Sequence, residues 1–382
     1  MSVRALPSEA SGPSEAERSA ILNEIRSRGE QFETAGHVPD DIVDKLKRLG
    51  AYRAFVPRAL GGDELSPSDF CRLIELISQY DASTGWVASF GMAPTYLCSL
   101  PPASFRSLYE RSPDVVFAGA AWPSFIARPA PGGVVVSGRW KFGSGCMGAS
   151  IIGVGIRFED SPLPRMAILP QEKVRIDPDW DVMGLRATGS HDLVVEDVFV
   201  PTEWTFVRGG NPAFDLPIYR YPSSALAGQV LAIVGLGAAR ASLKILTELA
   251  TEEVSLTGAP PLAKRVYVHR AIAEAEAILR SARAWFYEAT DEAFAAVQSR
   301  DTLPIEQKTL VRLAATNAAQ AGAEVTRRAF SLSGMTGTRI GHPLLRNMND
   351  AAVVAQHAFL GEGTWHCAGA ILLGQPAQPG YP

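Results

Sequence analysis

Apolar residues near the start of the chain recur at helical spacing. Ile21 and Ile25, then Ile42, Leu46 and Leu49, stand three or four positions apart, the repeat of helices that bury one face. Pro39-Asp40 supplies a helix entry just ahead of Ile42, because proline fits the start of a helix and an acidic residue suits its first turn. Between Tyr52 and Gly62 the repeat breaks. Pro57, Gly61 and Gly62 mark a turn there, and Ser66-Pro67-Ser68-Asp69 opens the next helix. The stretch from about Glu15 to Arg111 therefore reads as helical. From Asp114 to Pro201 the period changes to short, β-branched-rich runs: Val115-Val116-Phe117, Val134-Val135-Val136, Ile151 to Ile156 and Leu193 to Val200. Such runs, bounded by glycine, proline or aspartate, are strands. Pro131-Gly132-Gly133 turns between two of them, and Gly184 and Gly189 punctuate a loop before the last. After Pro222 helical spacing returns. Ile272, Ala275, Leu279, Ala282, Phe286 and Ala289 form one seam, and Leu310, Leu313, Asn317 and Ala321 form another, which predicts helices packed as a bundle.

The pattern thus predicts an α+β chain: a disordered lead-in over residues 1–14, an N-terminal helical domain over 15–111, a middle β domain over 112–215 and a helical bundle over 216–382. At 382 residues the chain is longer than one hydrophobic core sustains, so several packed regions are expected. Its 47% hydrophobic residues and mean hydropathy of +0.05 suit a globular protein with extensive burial, including burial between subunits.

Charge removes one class of partner. The formal net charge is -4 and no dense Lys/Arg block occurs, so a surface that tracks nucleic-acid phosphates is not expected. Cys71, Cys98, Cys146 and Cys367 lack metal-ligand spacing, which predicts neither a metal site nor a disulfide framework and fits the reducing cytoplasm. No apolar run reaches transmembrane length, and the N-terminus lacks a basic-then-apolar signal. One phosphate-binding pattern does appear, at Gly235-Leu236-Gly237 behind the apolar run Val230 to Val234. Its final glycine position is Arg240, and Leu231, Val234, Ala238 and Ala241 share a helical face. Small residues packing one helix on another explain it better than a dinucleotide turn. The pattern therefore supplies no nicotinamide site.

Two segments of the β region carry chemistry. Gly138-Arg139-Trp140-Lys141-Phe142-Gly143-Ser144-Gly145-Cys146 resembles the G-x-W-x-F-x-S-G segment of flavin-dependent monooxygenases with the acyl-CoA dehydrogenase fold. Trp180 to Asp192, read as W-x-x-x-G-x-R-x-T-G-S-x-D, with the strand ending in Val198-Phe199-Val200-Pro201, resembles the loop and strand of the same superfamily. Gly61-Gly62, Gly85-Trp86-Val87 and Asp350 to His357 extend the likeness over nearly the whole chain. The resemblance implies an acyl-CoA-dehydrogenase-like fold ending in a four-helix bundle, and the oxygenase component of a two-component (group D) monooxygenase.

These residue types suit a flavin. An isoalloxazine ring needs an apolar shelf, offered by Phe142 with Trp140 or Trp180, and polar atoms at its edges. Ser144, between glycines, suits the N5 edge. Arg186, Thr188, Ser190 and the backbone around them suit the flavin phosphate or a neighbouring polar edge. An acyl-CoA dehydrogenase also needs a carboxylate to remove the α-proton. Aligned on Asp350, the position of that glutamate holds Ala358 and the preceding tyrosine position holds His357. Glu362-Gly363-Thr364 repeats the dehydrogenase tripeptide four residues later, which keeps a dehydrogenase with Glu362 as base, or a non-catalytic flavin-binding relative, as alternatives. Ala355-Gln356-His357 matches the monooxygenase pattern without a gap, making His357 the candidate acid/base, with an ordinary pKa of about 6.5. Three departures stand out: no histidine follows Gly85-Trp86-Val87 closely, Met147-Gly148 replaces an Asp-His pair, and Asn349 replaces an arginine.

The resemblance then implies reduced FMN or FAD, made by a separate NAD(P)H:flavin reductase. Reaction with O2 as co-substrate would give a C4a-hydroperoxyflavin that oxygenates a small aromatic or heteroaromatic substrate. Ser144 and His357 would be its catalytic residues, no metal would take part, and a homotetramer would be the assembly.

Overall fold

The computed structural model describes residues 12–159, 161–252, 259–299, 303–376 and 381. Most of the expected lead-in therefore lies outside the described residues. Helices come first, as the 3.6-residue repeat dictates: α1 (Glu15–Ser27), α2 (Gly29–Ala35), α3 (Asp40–Arg48), α4 (Pro67–Ser78), α5 (Ala82–Ser89), α6 (Pro94–Leu97) and α7 (Pro102–Tyr109). The helix opened by Ser66-Pro67 is α4, and the one entered at Pro39-Asp40 is α3. Eight strands follow: β1 (Phe117–Ile126), β2 (Arg128–Ala130), β3 (Gly133–Gly143), β4 (Ile151–Phe158), β5 (Ser161–Pro170), β6 (Arg175–Asp177), β7 (His191–Pro201) and β8 (Thr205–Val207). The chain ends in α8 (Pro217–Arg220), α9 (Ser223–Glu252), α10 (Val266–Gln298), α11 (Ile305–Leu332), α12 (Pro343–Ala355) and α13 (Glu362–Leu372). The architecture is α+β: a helical N-terminal region, a middle β region and a C-terminal helical bundle.

Two compact units emerge. The first holds the chain up to Ser66, then Val87–Asp181 and Arg186–Ser223; the second holds Pro67–Trp86, Val182–Leu185 and the chain from Ser224 onward. In the first unit the strands form two four-stranded sheets, ordered β1-β4-β5-β8 and β2-β3-β7-β6. Among the described residues only β1 and β4 pair in parallel. Alternate residues of both sheets fill one core, with Val134, Val136 and Trp140 of β3 and Leu193 and Val195 of β7 meeting Ile152, Val154 and Ile156 of β4. This is the inward face that period-two alternation predicts.

The second unit shows why the Gly235-Leu236-Gly237 pattern binds no dinucleotide. It lies inside α9, where a Cβ on Gly237 would come within 2.5 Å of the Ser78 Cβ and 2.7 Å of the Glu75 carbonyl oxygen on α4. Gly322 of α11 faces the same stretch, and a Cβ there would lie 2.6 Å from the Gly235 carbonyl carbon. The glycines let helix backbones approach. The stretch Ser223–Thr251 also has the length and apolarity of a membrane span, which corrects the sequence expectation, but 78% of its most apolar window is buried inside the fold. It is a core helix. The seam expected on α11 is also displaced: Leu310 is 39% exposed, while Ala314, Ala315, Ala318, Ala319, Val325 and Ala329 are buried. Closely packed helices bury their small residues and leave the bulky one outside.

The Gly237→Ala substitution should therefore overpack the contact of α9 with α4 and cost about 1–3 kcal/mol. Chemical denaturation would register a lower midpoint, and flavin affinity of the folded fraction should not change; an unaltered midpoint would show that the contact yields without cost.

Candidate active site

In the first unit the two motif segments meet. Strand β3 pairs with β7, but the register shifts between Trp140 and Gly143. Phe142 takes a left-handed backbone there, with φ of +65°, which is uncommon for a bulky residue and points to a functional constraint. Strict alternation would aim Phe142 to the same side as Trp140. The bulge instead turns the Phe142 ring outward, 66% exposed.

Trp140 stays inside. It is fully buried, its indole N–H donates to the Gly155 carbonyl at 3.0 Å, and Phe125 packs edge-on against it at 4.9 Å. This corrects the expected shelf role, because a ring enclosed on every side has no face to offer a flavin. Trp180 takes its place beside Phe142, ring centroids 6.1 Å apart at 79°.

The polar atoms lie just beyond. Past Phe142 the chain turns, with the Ser144 N–H donating to the Phe142 carbonyl at 2.9 Å and the Gly145 N–H donating to the Thr188 carbonyl at 2.8 Å. The Cys146 thiol donates to the Gly189 carbonyl at 3.3 Å. These bonds stitch the Ser144 turn to the segment Thr188 to Ser190, and three hydroxyls line up as a result: Ser144 Oγ to Ser190 Oγ and Ser190 Oγ to Thr188 Oγ1, each 2.6 Å. All three residues are buried. Each hydroxyl both donates and accepts, so the row can be polarised in either direction. His191 holds the approach to the loop: its Nδ1 accepts the N–H groups of Asp179 at 3.3 Å and Trp180 at 3.2 Å. That contact requires an unprotonated Nδ1, and burial shifts the His191 pKa downward, in the direction the contact needs. Arg186 is 45% exposed across from Asp181 at 3.6 Å.

The middle of the same loop, Val182–Leu185, belongs to the second unit. Gly184 lies flush against the Asn349 and Asp350 backbone of α12, where any side chain would collide. Leu185, with φ of +52°, donates its N–H to the fully buried Asp350 carboxylate at 2.5 Å. Sequence reasoning named Asp350 only as an alignment mark; its work is to anchor this loop.

His357 follows the C-terminal end of α12. Its ring is half-buried and meets Trp86 edge-on at 5.7 Å and Phe359 at 5.2 Å. Nδ1 accepts the Phe359 N–H at 3.3 Å, so the hydrogen of the neutral ring sits on Nε2. Burial pushes its pKa down to about 4, because an apolar setting disfavours the charged form. The expectation of an ordinary value near neutrality is thereby corrected: at pH 7 His357 is a neutral donor. Glu362 stands at the first turn of α13, 77% exposed and 3.2 Å from His366. A base for α-proton abstraction needs a shielded carboxylate with a raised pKa, and this one faces water. A surface cavity of about 810 Å³ in the first unit, lined by Ser99–Pro102, Arg165 and the 205–213 stretch, contains none of the candidate residues.

Residues 14–99 match the acyl-CoA dehydrogenase N-terminal domain and residues 229–362 the acyl-CoA dehydrogenase C-terminal domain. The chain is 49% identical to an indole-3-acetate monooxygenase of Pseudomonas putida, over 99% of this chain and 98% of that one. It is 46% identical to the enzyme of the same name from Acinetobacter baumannii, over 95% of each. Among solved structures it superposes on the 3-HSA hydroxylase of Rhodococcus sp. RHA1 with a TM-score of 0.88 at 26% identity, over 95% of this chain and 97% of that one. The chain belongs to the family of flavin-dependent monooxygenases that use the acyl-CoA dehydrogenase fold and serve as oxygenase components of two-component systems.

Proposed function

We propose that this chain oxygenates an indole carrying a short carboxylate side chain, with reduced FMN or FAD supplied by a separate NAD(P)H:flavin reductase. The substrate rests on one observation: full-length likeness, at 49% and 46% identity, to two indole-3-acetate monooxygenases. The cofactor rests on the fit of the site. Phe142, forced outward by a strained backbone, gives an aromatic surface, and the row Ser144–Ser190–Thr188 gives a polar edge beside it, which is what a flat heteroaromatic ring with hydrogen-bonding edges requires. Phe142 and Trp180 would flank the ring, Ser144 would meet its N5 edge, and Thr188, Ser190 and Arg186 would hold its other polar groups. Bound reduced flavin supplies the two electrons with which O2 is divided, one oxygen atom entering the substrate and the other leaving as water.

The protein's own part is then positional. The row of hydroxyls presents a hydrogen-bond donor that needs no change of charge. His357, neutral at pH 7 with its hydrogen on Nε2, donates to an oxygen of the substrate or of the reacting O2 and adds no positive charge. The dehydrogenase alternative has no matching support, since Glu362 is solvated and position 358 is alanine. The assembly proposed is a cytoplasmic homotetramer. Exposed apolar residues of the second unit, among them Val266, Tyr267, Met335, Ile340, Leu372 and Leu373, provide surface for subunit contacts, and sedimentation would reveal any smaller assembly.

Indole-3-acetate mixed with the protein and enzymatically reduced flavin under 18O2 should give a product carrying one labelled oxygen atom. Consumption of O2 with release of hydrogen peroxide alone, across indole, phenol and thioether substrates, would sink the oxygenase reading for this chain. Ser190→Ala removes the central hydroxyl of the row and should weaken reduced-flavin binding about tenfold, roughly 1.4 kcal/mol. Anaerobic fluorescence titration measures it, and wild-type affinity in the variant would separate the hydroxyl row from the cofactor.

A further inference from the structure

Arg312 of α11 is only 8% exposed, yet no carboxylate pairs with it among the described residues. Its Nε meets no hydrogen-bond acceptor. Its guanidinium lies 4.7 Å from the Tyr381 ring and 5.8 Å from the Phe359 ring. A buried cation without an anion costs several kcal/mol, and an apolar side chain of similar size would fill the space without that cost. What the cation gains is one carbonyl. Its Nη2 approaches the Phe359 oxygen at 3.5 Å, the outer limit of a hydrogen bond.

Thr364 reaches the same oxygen. Its hydroxyl donates to the Phe359 carbonyl at 3.1 Å, and its N–H bonds the Gly361 carbonyl at 3.0 Å. The threonine of Glu362-Gly363-Thr364 is therefore the member of that tripeptide turned toward the His357 loop. Residue Phe359 is held on both sides: its carbonyl, in the 359–360 peptide, by Arg312 and Thr364, and its N–H, in the 358–359 peptide, by His357 Nδ1 at 3.3 Å. A carbonyl that accepts from a cation makes the N–H across the same peptide a stronger donor; here that N–H is Leu360's, and it donates to the His357 carbonyl at 2.8 Å, so the turn from His357 to Leu360 is tied at His357's own backbone and ring.

We infer that Arg312 is a positioning residue for His357: with Thr364 it fixes the turn from His357 to Leu360 through the Phe359 carbonyl, and that turn presents the Phe359 N–H that selects the His357 tautomer bearing hydrogen on Nε2. The inference rests on the reading of His357 given above as a neutral donor. The charged groups on the elements around this turn are few. Glu362 and His366 of α13 are exposed and face each other, and Asp350 of α12 is engaged by the Leu185 N–H. Trp86 and Phe359, the rings against His357, do not titrate.

The pH dependence has a definite sign. Burial holds the folded-state pKa of His357 at about 4, below the unfolded value of about 6.5. Between those two values the unfolded chain binds the proton and the folded chain does not, so His357's contribution to stability is complete above about pH 6.5 and is lost as the pH falls toward 4.

The test is NMR of protein labelled with 15N-histidine, the His357 signals identified by their loss in His357→Gln. Wild type should show an unprotonated Nδ1 and a protonated Nε2 at pH 7, titrating near 4. Arg312→Gln should mix the two tautomers and move the midpoint upward. It should also lower kcat for indole-3-acetate about tenfold with little change in KM, and Arg312→Lys should recover part of both. If Arg312→Gln keeps the wild-type tautomer and midpoint, the inference is overturned, even where the variant melts earlier. Should Arg312→Gln fail to fold, Thr364→Val acts on the same carbonyl from the other side, and the same two readouts decide. The tautomer measurement needs no turnover, so full activity in His357→Gln would remove His357 from catalysis while leaving the Arg312 inference to be judged by the spectra.

Discussion

The contact on which the site's main loop depends is the buried carboxylate of Asp350 receiving the Leu185 N–H at 2.5 Å. A hydrogen bond in a protein is worth about 0.5–1.5 kcal/mol net, and removing one partner leaves the other stranded away from water at a further cost. It holds Leu185 in a left-handed backbone that a branched side chain does not choose by itself. The spacing W-x-x-x-G-x-R-x-T-G-S follows from this constraint: glycine stands at 184 because α12 leaves no room for a side chain there, and the Arg186–Thr188 turn begins only after the chain has been pinned. The serine and threonine hydroxyls that follow owe their alignment to two further restraints, the Gly145 N–H on the Thr188 carbonyl and the Cys146 thiol on that of Gly189.

Much of this was legible in the sequence where one physical rule acted alone. Amphipathic spacing found α1, α3 and the α10 seam, the Ser66-Pro67-Ser68-Asp69 entry found α4, and β-branched runs found β3, β4 and β7, because burial on one face leaves a period. Elements shaped by competing rules were hidden. Strand β1 meets the predicted run Val115-Val116-Phe117 only at Phe117 and continues through Ala118-Gly119-Ala120-Ala121 and Pro123, with a register shift between Ala120 and Phe125, so its length does not show as alternation. Strand β5 contains prolines, which argue against an interior strand. It accepts them because β8 pairs only with Arg165 to Ala167, leaving Pro164 beyond that ladder. On α11 the buried face is made of small residues, and a reading that follows large apolar ones selects Leu310, on the outer side.

In the site, identity was readable and orientation was not. Trp140 and Phe142 look equivalent two residues apart in one motif, and a single bulge sends one into the core and the other outward. His357 was identifiable by its place in a pattern. Its protonation state follows from Trp86, which precedes it by 271 positions, and from a backbone N–H that no sequence pattern marks. Arg312 gave no signal beyond being an arginine amid apolar neighbours, which periodicity reads as a solvated side of the helix.

The neutral His357 also bears on how such an enzyme tolerates its surroundings. Histidine is usually the group through which mild acidification reaches a protein, because its charge changes near neutrality. A ring already stripped of its proton by burial has no charge left to lose between pH 5 and 8. A mild drop in the surrounding pH leaves the folded ring uncharged, its Nε2 hydrogen in place.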